Sequence, residues 1–291
     1  MHALPSLLAL VTACVLAGPL LAQMRRAGAV RPNYRSRQLP FPVGVLVPAA
    51  ASIALIPLML LAKLAGTHVF HPAITPIAVY CLGVIALGLL DDALGGAGQA
   101  GGALQAGEAG GPTTPRGWRG HFGALRHGQL STGVVKAFGA LGLALFAGRY
   151  LGLSNGRWLL AVGVLVLCTN VFNLLDLRPG RAVKAFVVLG AALTAASGQL
   201  RTMWSLGLFA APALVAGAYD LRERAMLGDT GANLLGALGG LWLVLTLSGT
   251  GQAVALGVLL AITLYGELRS ISGLVERTPG LRYLDSLGRP S

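Results

Sequence analysis

Apolar residues run along this chain in stretches of about 17 to 22, and each stretch ends in a short polar or basic segment. Roughly 20 apolar residues in helical conformation cross the hydrocarbon of a bilayer. The pattern predicts nine spans, at about 3–22, 43–65, 72–90, 131–148, 157–175, 184–199, 202–218, 232–248 and 252–267. The sixth and seventh are the shortest. The first has the length of a signal peptide, but its basic cluster, Arg25 and Arg26, follows the apolar run instead of preceding it. That order favours a retained helix. The expected fold is all-α, a polytopic transmembrane helical bundle in one integral membrane domain over 1–291.

Composition agrees with the pattern. The chain is 55% hydrophobic and only 11% charged, where a soluble domain carries roughly 25% charged residues. Its 42 glycines suit helices that pack closely in lipid. Cys14, Cys81 and Cys168 all lie inside apolar runs, as small hydrophobes do, with no disulfide or zinc spacing.

Charge gives the orientation. The net charge of +12 suggests nucleic acid only until its distribution is considered. With the N-terminus outside, 18 of the 22 Lys and Arg fall on the inner side, and only Lys63, Arg149, Arg157 and Arg201 stay outside. Basic residues orient membrane proteins in this way, so the expected partner is lipid and not nucleic acid. All ten acids also fall inside, which positive-inside sorting does not require. Segment 93–115, rich in Gly and Ala, is expected to be a flexible cytoplasmic loop. Residues 268–291 are expected to be a basic cytoplasmic tail.

Four places on the inner face carry candidate chemistry. "GLLDDALGG" sets Asp91 and Asp92 at the predicted end of the third span. A helix C-terminus is already partly negative, so two carboxylates there call for a cation, unless they only mark the water line. Asn170, Asn173 and Asp176 recur every three residues and share one helix face; amides in a span can also simply bond neighbouring helices. Arg178, Arg181 and Lys184 follow, as positive-inside anchors or as partners of an anion. In "MLGDTGANLLG", Asp229 precedes the eighth span, either as a helix cap or as a carboxylate shared between a metal and a phosphate. Lys136 lies just inside the fourth span and has the reach to snorkel to the surface. His121 and His127 are six residues apart with no further ligand, which does not make a zinc site. Hard carboxylate oxygen without Cys or His selects Mg²⁺, or Mn²⁺, over zinc. Separated acids, amides and cations at one membrane face are the apparatus of phosphoryl transfer.

In their order along the chain these segments resemble the polyprenyl-phosphate N-acetylhexosamine-1-phosphate transferase superfamily, which includes phospho-MurNAc-pentapeptide translocase and the GlcNAc-1-phosphate transferases of glycosyltransferase family 4. "PNYRSRQLPFPVG" is similar to the family's first cytoplasmic loop and "LLDDALG" to its paired-aspartate motif. "GHFGAL…LSTGVVK" is similar to its lysine segment, "NVFNLLD" to its Asn–Asn–Asp motif, and "GDTGANLLG" to its Gly-Asp-x-Gly motif. The resemblance implies transfer of a sugar-1-phosphate from a UDP-N-acetylhexosamine to undecaprenyl phosphate at the inner membrane, with Mg²⁺ required and UMP released, in cell-envelope glycan synthesis. It implies Asp229 as metal ligand with Asp176 and Asp92 beside it, and Asp91 or Asp92 on the lipid phosphate. Asn170 and Asn173 would contact nucleotide or hold the aspartates, and Lys136 would neutralise phosphate charge. Arg178, Arg181, Lys184 and His121 complete the expected substrate contacts, and a homodimer is compatible with the reading. The chain departs from the family pattern at Leu177, where Gly is usual after the motif aspartate. It has no His within 267–291 and fewer predicted spans than the family's ten or more. Those departures motivate a second reading, a non-catalytic relative that binds polyprenyl phosphate and regulates envelope assembly. A transporter is disfavoured because its acids would lie near mid-membrane.

Overall fold

Helix α1 (Leu4–Arg26) opens a computed structural model that describes residues 3–105 and 132–289. After it come a short hairpin, β1 (Val30–Pro32) and β2 (Gln38–Pro40), and a 3₁₀ turn at Val43–Val45. The long helices are then α2 (Leu46–Leu64), α3 (Ile74–Gln105), α4 (Thr132–Tyr150), α5 (Asn155–Leu175), α6 (Arg181–Ser197), α7 (Arg201–Leu221), α8 (Gly228–Thr246) and α9 (Gly249–Leu268). Two short helices end the chain, α10 (Ile271–Arg277) and α11 (Pro279–Ser286).

Long helices occupy all nine predicted positions, but among the described residues six are long and apolar enough to cross a membrane. These are α1, the segment Val43–Leu64, the first part of α3, and α5, α7 and α9. The other three helices fall short on that measure for physical reasons. Helix α6 has only 17 residues, and α4 carries Lys136 and Arg149. Helix α8 opens with Gly-Asp-Thr-Gly-Ala-Asn and is buried along nearly its whole length, so protein, not lipid, sets its composition.

Helix α8 is the axis of the bundle. Helices α3, α5, α6 and α7 pack around it, α1 packs on α7 and α2, and α9 packs on the outer side of α5. Small residues permit the closest approaches. A Cβ at Gly236 would lie 2.6 Å from the Thr169 Cα of α5. A Cβ at Gly88 would lie 2.6 Å from the Asp229 carbonyl and 2.7 Å from the Thr230 Cα. Side chains larger than hydrogen would force these helices apart, as in membrane bundles that rely on packing at small residues. The outer surfaces carry exposed Val11, Val15, Ile56, Met59, Val188, Val254 and Val258. Apolar side chains facing outward along several helices suit hydrocarbon and not water.

Two further expectations change. Helix α3 does not stop at the aspartate pair but runs on to Gln105, so the first part of 93–115 is helical and not a loop; Ala, Leu and Gln are good helix formers. The all-α expectation misses the hairpin, which pairs Val30 with Pro40 and Pro32 with Gln38. Its turn is held by Asn33, whose Oδ1 accepts the Arg35 and Arg37 amides at 2.9 Å each, as turn asparagines do. Residues 271–286 are folded into α10 and α11.

Candidate active site

The site is built where α3, α4, α5 and α8 meet at one end of the bundle. Gly228 takes a φ of +72°, a conformation open to glycine at little cost, and so turns the chain into α8. Its first amides then face α3. Both oxygens of Asp92 receive them: Oδ1 accepts the Asp229 amide at 2.9 Å, and Oδ2 accepts the Thr230 amide at 2.8 Å and the Thr230 hydroxyl at 2.6 Å. Asp92 is 6% exposed. It therefore caps a helix in another part of the chain, satisfying donors that a helix N-terminus leaves open. The expected need for a cation at this aspartate is answered by the positive end of α8. The close approach at Gly88, one turn earlier, puts Asp92 within reach.

Asp91, its neighbour, faces a different group. Lys136 Nζ donates to Asp91 Oδ2 at 3.2 Å and also pairs with Asp229 Oδ2. Asn173 Nδ2 donates to Asp229 Oδ1 at 2.8 Å. Helices α3, α4, α5 and α8 thus each contribute one side chain to a single hydrogen-bonded cluster. The Lys136, Asp91 and Asp229 side chains are 22%, 23% and 28% exposed, so a ligand from water can reach all three.

Asp176 forms the C-cap of α5, with its amide bonded to the Asn173 carbonyl at 3.2 Å. Burial raises its pKa well above the usual carboxylate range, and the neighbouring charges of Asp220, Asp229 and Asp92 raise it further. The carboxylates of Asp91, Asp92, Asp176 and Asp229 lie near one another here. The carboxylate oxygens suit a hard divalent cation, and Lys136 Nζ sits between two of them as a positive charge would. Asp229, Asp91 and Asp176 supply the remaining carboxylate oxygens here; the two oxygens of Asp92 are already committed to α8. No group of three or more acidic, His or Cys side chains converges as a metal cage among the described residues. Mg²⁺ commonly takes one or two carboxylates and completes its shell with water and phosphate.

Other predicted contacts lie elsewhere. Asn170 turns to α9, where its Nδ2 donates to Thr263 Oγ1 at 3.4 Å, so the triplet splits between a helix interface and the site. Arg178 lies over the Tyr34 ring at 4.6 Å and pairs with Glu276 at 3.5 Å. Arg181 holds Asp285 with two parallel bonds of 2.9 and 3.0 Å and donates to Ser272 Oγ at 3.1 Å. Lys184 donates to the carbonyls of Leu284 at 3.0 Å and Leu287 at 3.3 Å. These two cations dock the last two helices of the same chain. Arg289 completes the contact, on the Pro179 carbonyl at 2.9 Å and on Asp285 at 2.7 Å. His121 falls outside the described residues.

Sequence reasoning missed three organising residues. Glu223, with a side chain 0% exposed, accepts from the Tyr34 hydroxyl at 2.9 Å and Asn33 Nδ2 at 3.2 Å. It also pairs with Arg35 at 3.8 Å and Arg37 at 3.7 Å. Asp220 accepts the Gly180 amide at 2.7 Å and the Leu227 amide at 3.1 Å, which fixes the loops leading into α6 and α8. Arg31 donates to the Asp92 carbonyl and lies over Phe41 at 4.0 Å. The hairpin is thereby pinned beside the carboxylates. A buried Glu that collects two arginines from a turn whose Asn33 lies 190 residues earlier has no local sequence signal.

No protein-family model matches the chain, and no curated protein matches it.

Proposed function

We propose that this protein transfers an N-acetylhexosamine-1-phosphate from a UDP-sugar to undecaprenyl or another polyprenyl phosphate at the cytoplasmic face of the membrane, releasing UMP. The observation that carries the reading is the Asp91–Lys136–Asp229–Asn173 cluster, drawn from four helices and open to water at one end of an apolar bundle. A membrane-embedded acceptor and a water-soluble donor can meet only at such a boundary.

In the reaction, an oxygen of the lipid phosphate attacks the phosphorus that carries the sugar. The bond from that phosphorus to the oxygen bridging to UMP breaks, and UMP leaves with the bridging oxygen. Mg²⁺ held by Asp229 and Asp176, with Asp91 adjacent, would neutralise charge on the pyrophosphate oxygens. Lys136 supplies a fixed positive charge beside them. Asn173 holds Asp229 in one orientation through Oδ1. Asp91 is the carboxylate placed to orient the lipid phosphate or take up its proton. Asp92 acts through Asp229 and Thr230 as a positioning residue. Arg31, Arg35 and Arg37 give the hairpin rim the charge to draw in a nucleotide.

The second reading, a polyprenyl-phosphate-binding protein without transferase activity, has one observation in its favour: Arg181 and Lys184 are occupied by the chain's own last helices. UMP release separates the two. Purified protein, polyprenyl phosphate, Mg²⁺ and a panel of UDP-N-acetylhexosamines should release UMP with at least one donor, and chelation by EDTA should abolish it. Lipid binding without UMP release from any donor would favour the second reading.

A further inference from the structure

At the opposite end of the bundle lies a cavity of about 630 Å³ between the segment that precedes α3 and the start of α7. Ile74 and Asp91 are 17 residues apart on α3, so the cavity and the carboxylate cluster are separated by about 25 Å of helix at 1.5 Å per residue. The two places therefore lie at different ends of the bundle, and nothing about the cavity depends on the reaction above.

Its floor and walls are apolar. Val69 and Leu208 are 2% and 1% exposed, and Phe70 and Trp204 are half-buried beside them. Its mouth is cationic and polar: Arg201, the first residue of α7, and His68 both line it and are exposed. Among the described residues no carboxylate pairs with Arg201. The acids of the ion pairs described above are all at the other end. Cavities of roughly 300 to 1,000 Å³ with an apolar lining and few polar groups are the usual form of a small-molecule site.

We infer that this cavity binds an anionic membrane amphiphile, with its phosphate or carboxylate head on Arg201 and His68 and its hydrocarbon chain against Val69, Phe70, Trp204 and Leu208. A small free anion would leave the apolar floor uncovered. A neutral apolar molecule would gain nothing from the guanidinium, which suits two-pronged hydrogen bonding to phosphate or carboxylate. A lipid meets both surfaces, and the bilayer that surrounds the helices supplies it directly.

The test is native mass spectrometry of the full-length protein from neutral detergent, titrated with lysophosphatidylglycerol, oleate and lysophosphatidylcholine of matched chain length. At least one anionic amphiphile should bind with a Kd at least tenfold below that of the choline lipid. Binding of the glycerol lipid alone assigns a phosphate head, and of oleate alone a carboxylate head. Arg201→Gln should erase the preference, and Arg201→Lys, which keeps the charge but loses the two-pronged geometry, should keep part of it. Equal affinity for the choline lipid, or an unchanged preference in Arg201→Gln, would overturn the assignment. Arg201 is exposed and remote from the carboxylate cluster, so a folded variant with unchanged melting temperature is expected.

Discussion

Two adjacent aspartates do unlike things. Asp92 is the cap of α8, and Asp91 is part of the open cluster with Lys136. Asp92→Ala would strip three hydrogen bonds from buried donors. Losing a cap costs about 0.5–2 kcal/mol, and an unsatisfied buried group about 1–3 kcal/mol. The expected outcome is a loss of about 2–3 kcal/mol on those grounds, seen as a lower melting temperature in detergent; an unchanged melting point would contradict the capping role. Lys136→Met should lower kcat by about 10²–10³, the scale of removing one charge-stabilising donor, with Lys136→Arg restoring part of it. Both residues stood out in the sequence as charges at a span boundary. Their division of labour did not, because it depends on which one faces the α8 amides, and that is set by the approach at Gly88.

Among the elements, the hairpin and the last two helices are the parts least legible in the sequence. Each is short, and each is held by partners about a hundred or more residues away. Glu223→Gln would leave Arg35 and Arg37 without their shared carboxylate. Tryptic cleavage after Arg35 and Arg37 should then be faster than in the unaltered protein, and an unchanged rate would show that the hairpin does not need its anchor. At the other contact, burial alone would raise the pKa of Asp285. The hydrogen bonds and charge of Arg181, then the charges of Arg289 and Lys184, outweigh it and hold the carboxyl below its usual range. A depressed carboxylate contributes stability that is full above its unfolded pKa, near 3.9 for Asp, and is lost as pH falls through the folded value. The docked α10–α11 segment should therefore lose amide protection, relative to the intrinsic exchange rate, as pH falls below about 4, and Asp285→Asn should show a comparable loss of protection at neutral pH. Equal exchange in the two proteins would contradict the Arg181–Asp285 latch. The nine apolar runs, in contrast, were readable because length and composition alone report a helix in lipid. The helices α4, α6 and α8 are less apolar or shorter than the other six, because a helix enclosed by other helices can be short, or polar at one end, and still be buried.

For the whole molecule, the arrangement is polar. One end of an apolar bundle carries the carboxylates, the pinned hairpin and the docked last helices; the other carries a cavity with a cationic mouth. Helix α8 joins these levels, since its burial fixes where its first turn presents Asp229. Gly88→Ala would place a methyl against the backbone of that turn, and overpacking of this kind costs about 1–3 kcal/mol. The motif order along the chain pointed to the cluster of Asp91, Lys136, Asn173 and Asp229, while Asn170 bonds to α9 and Arg181 and Lys184 bond to the last two helices. The most direct test of the central claim follows the phosphorus. With a UDP-N-acetylhexosamine labelled in the phosphate that carries the sugar, label should move into organic-extractable lipid only when polyprenyl phosphate and Mg²⁺ are both present. Asp229→Asn should abolish that movement. Label that stays in water for every donor, while the folded protein binds the lipid, would contradict it.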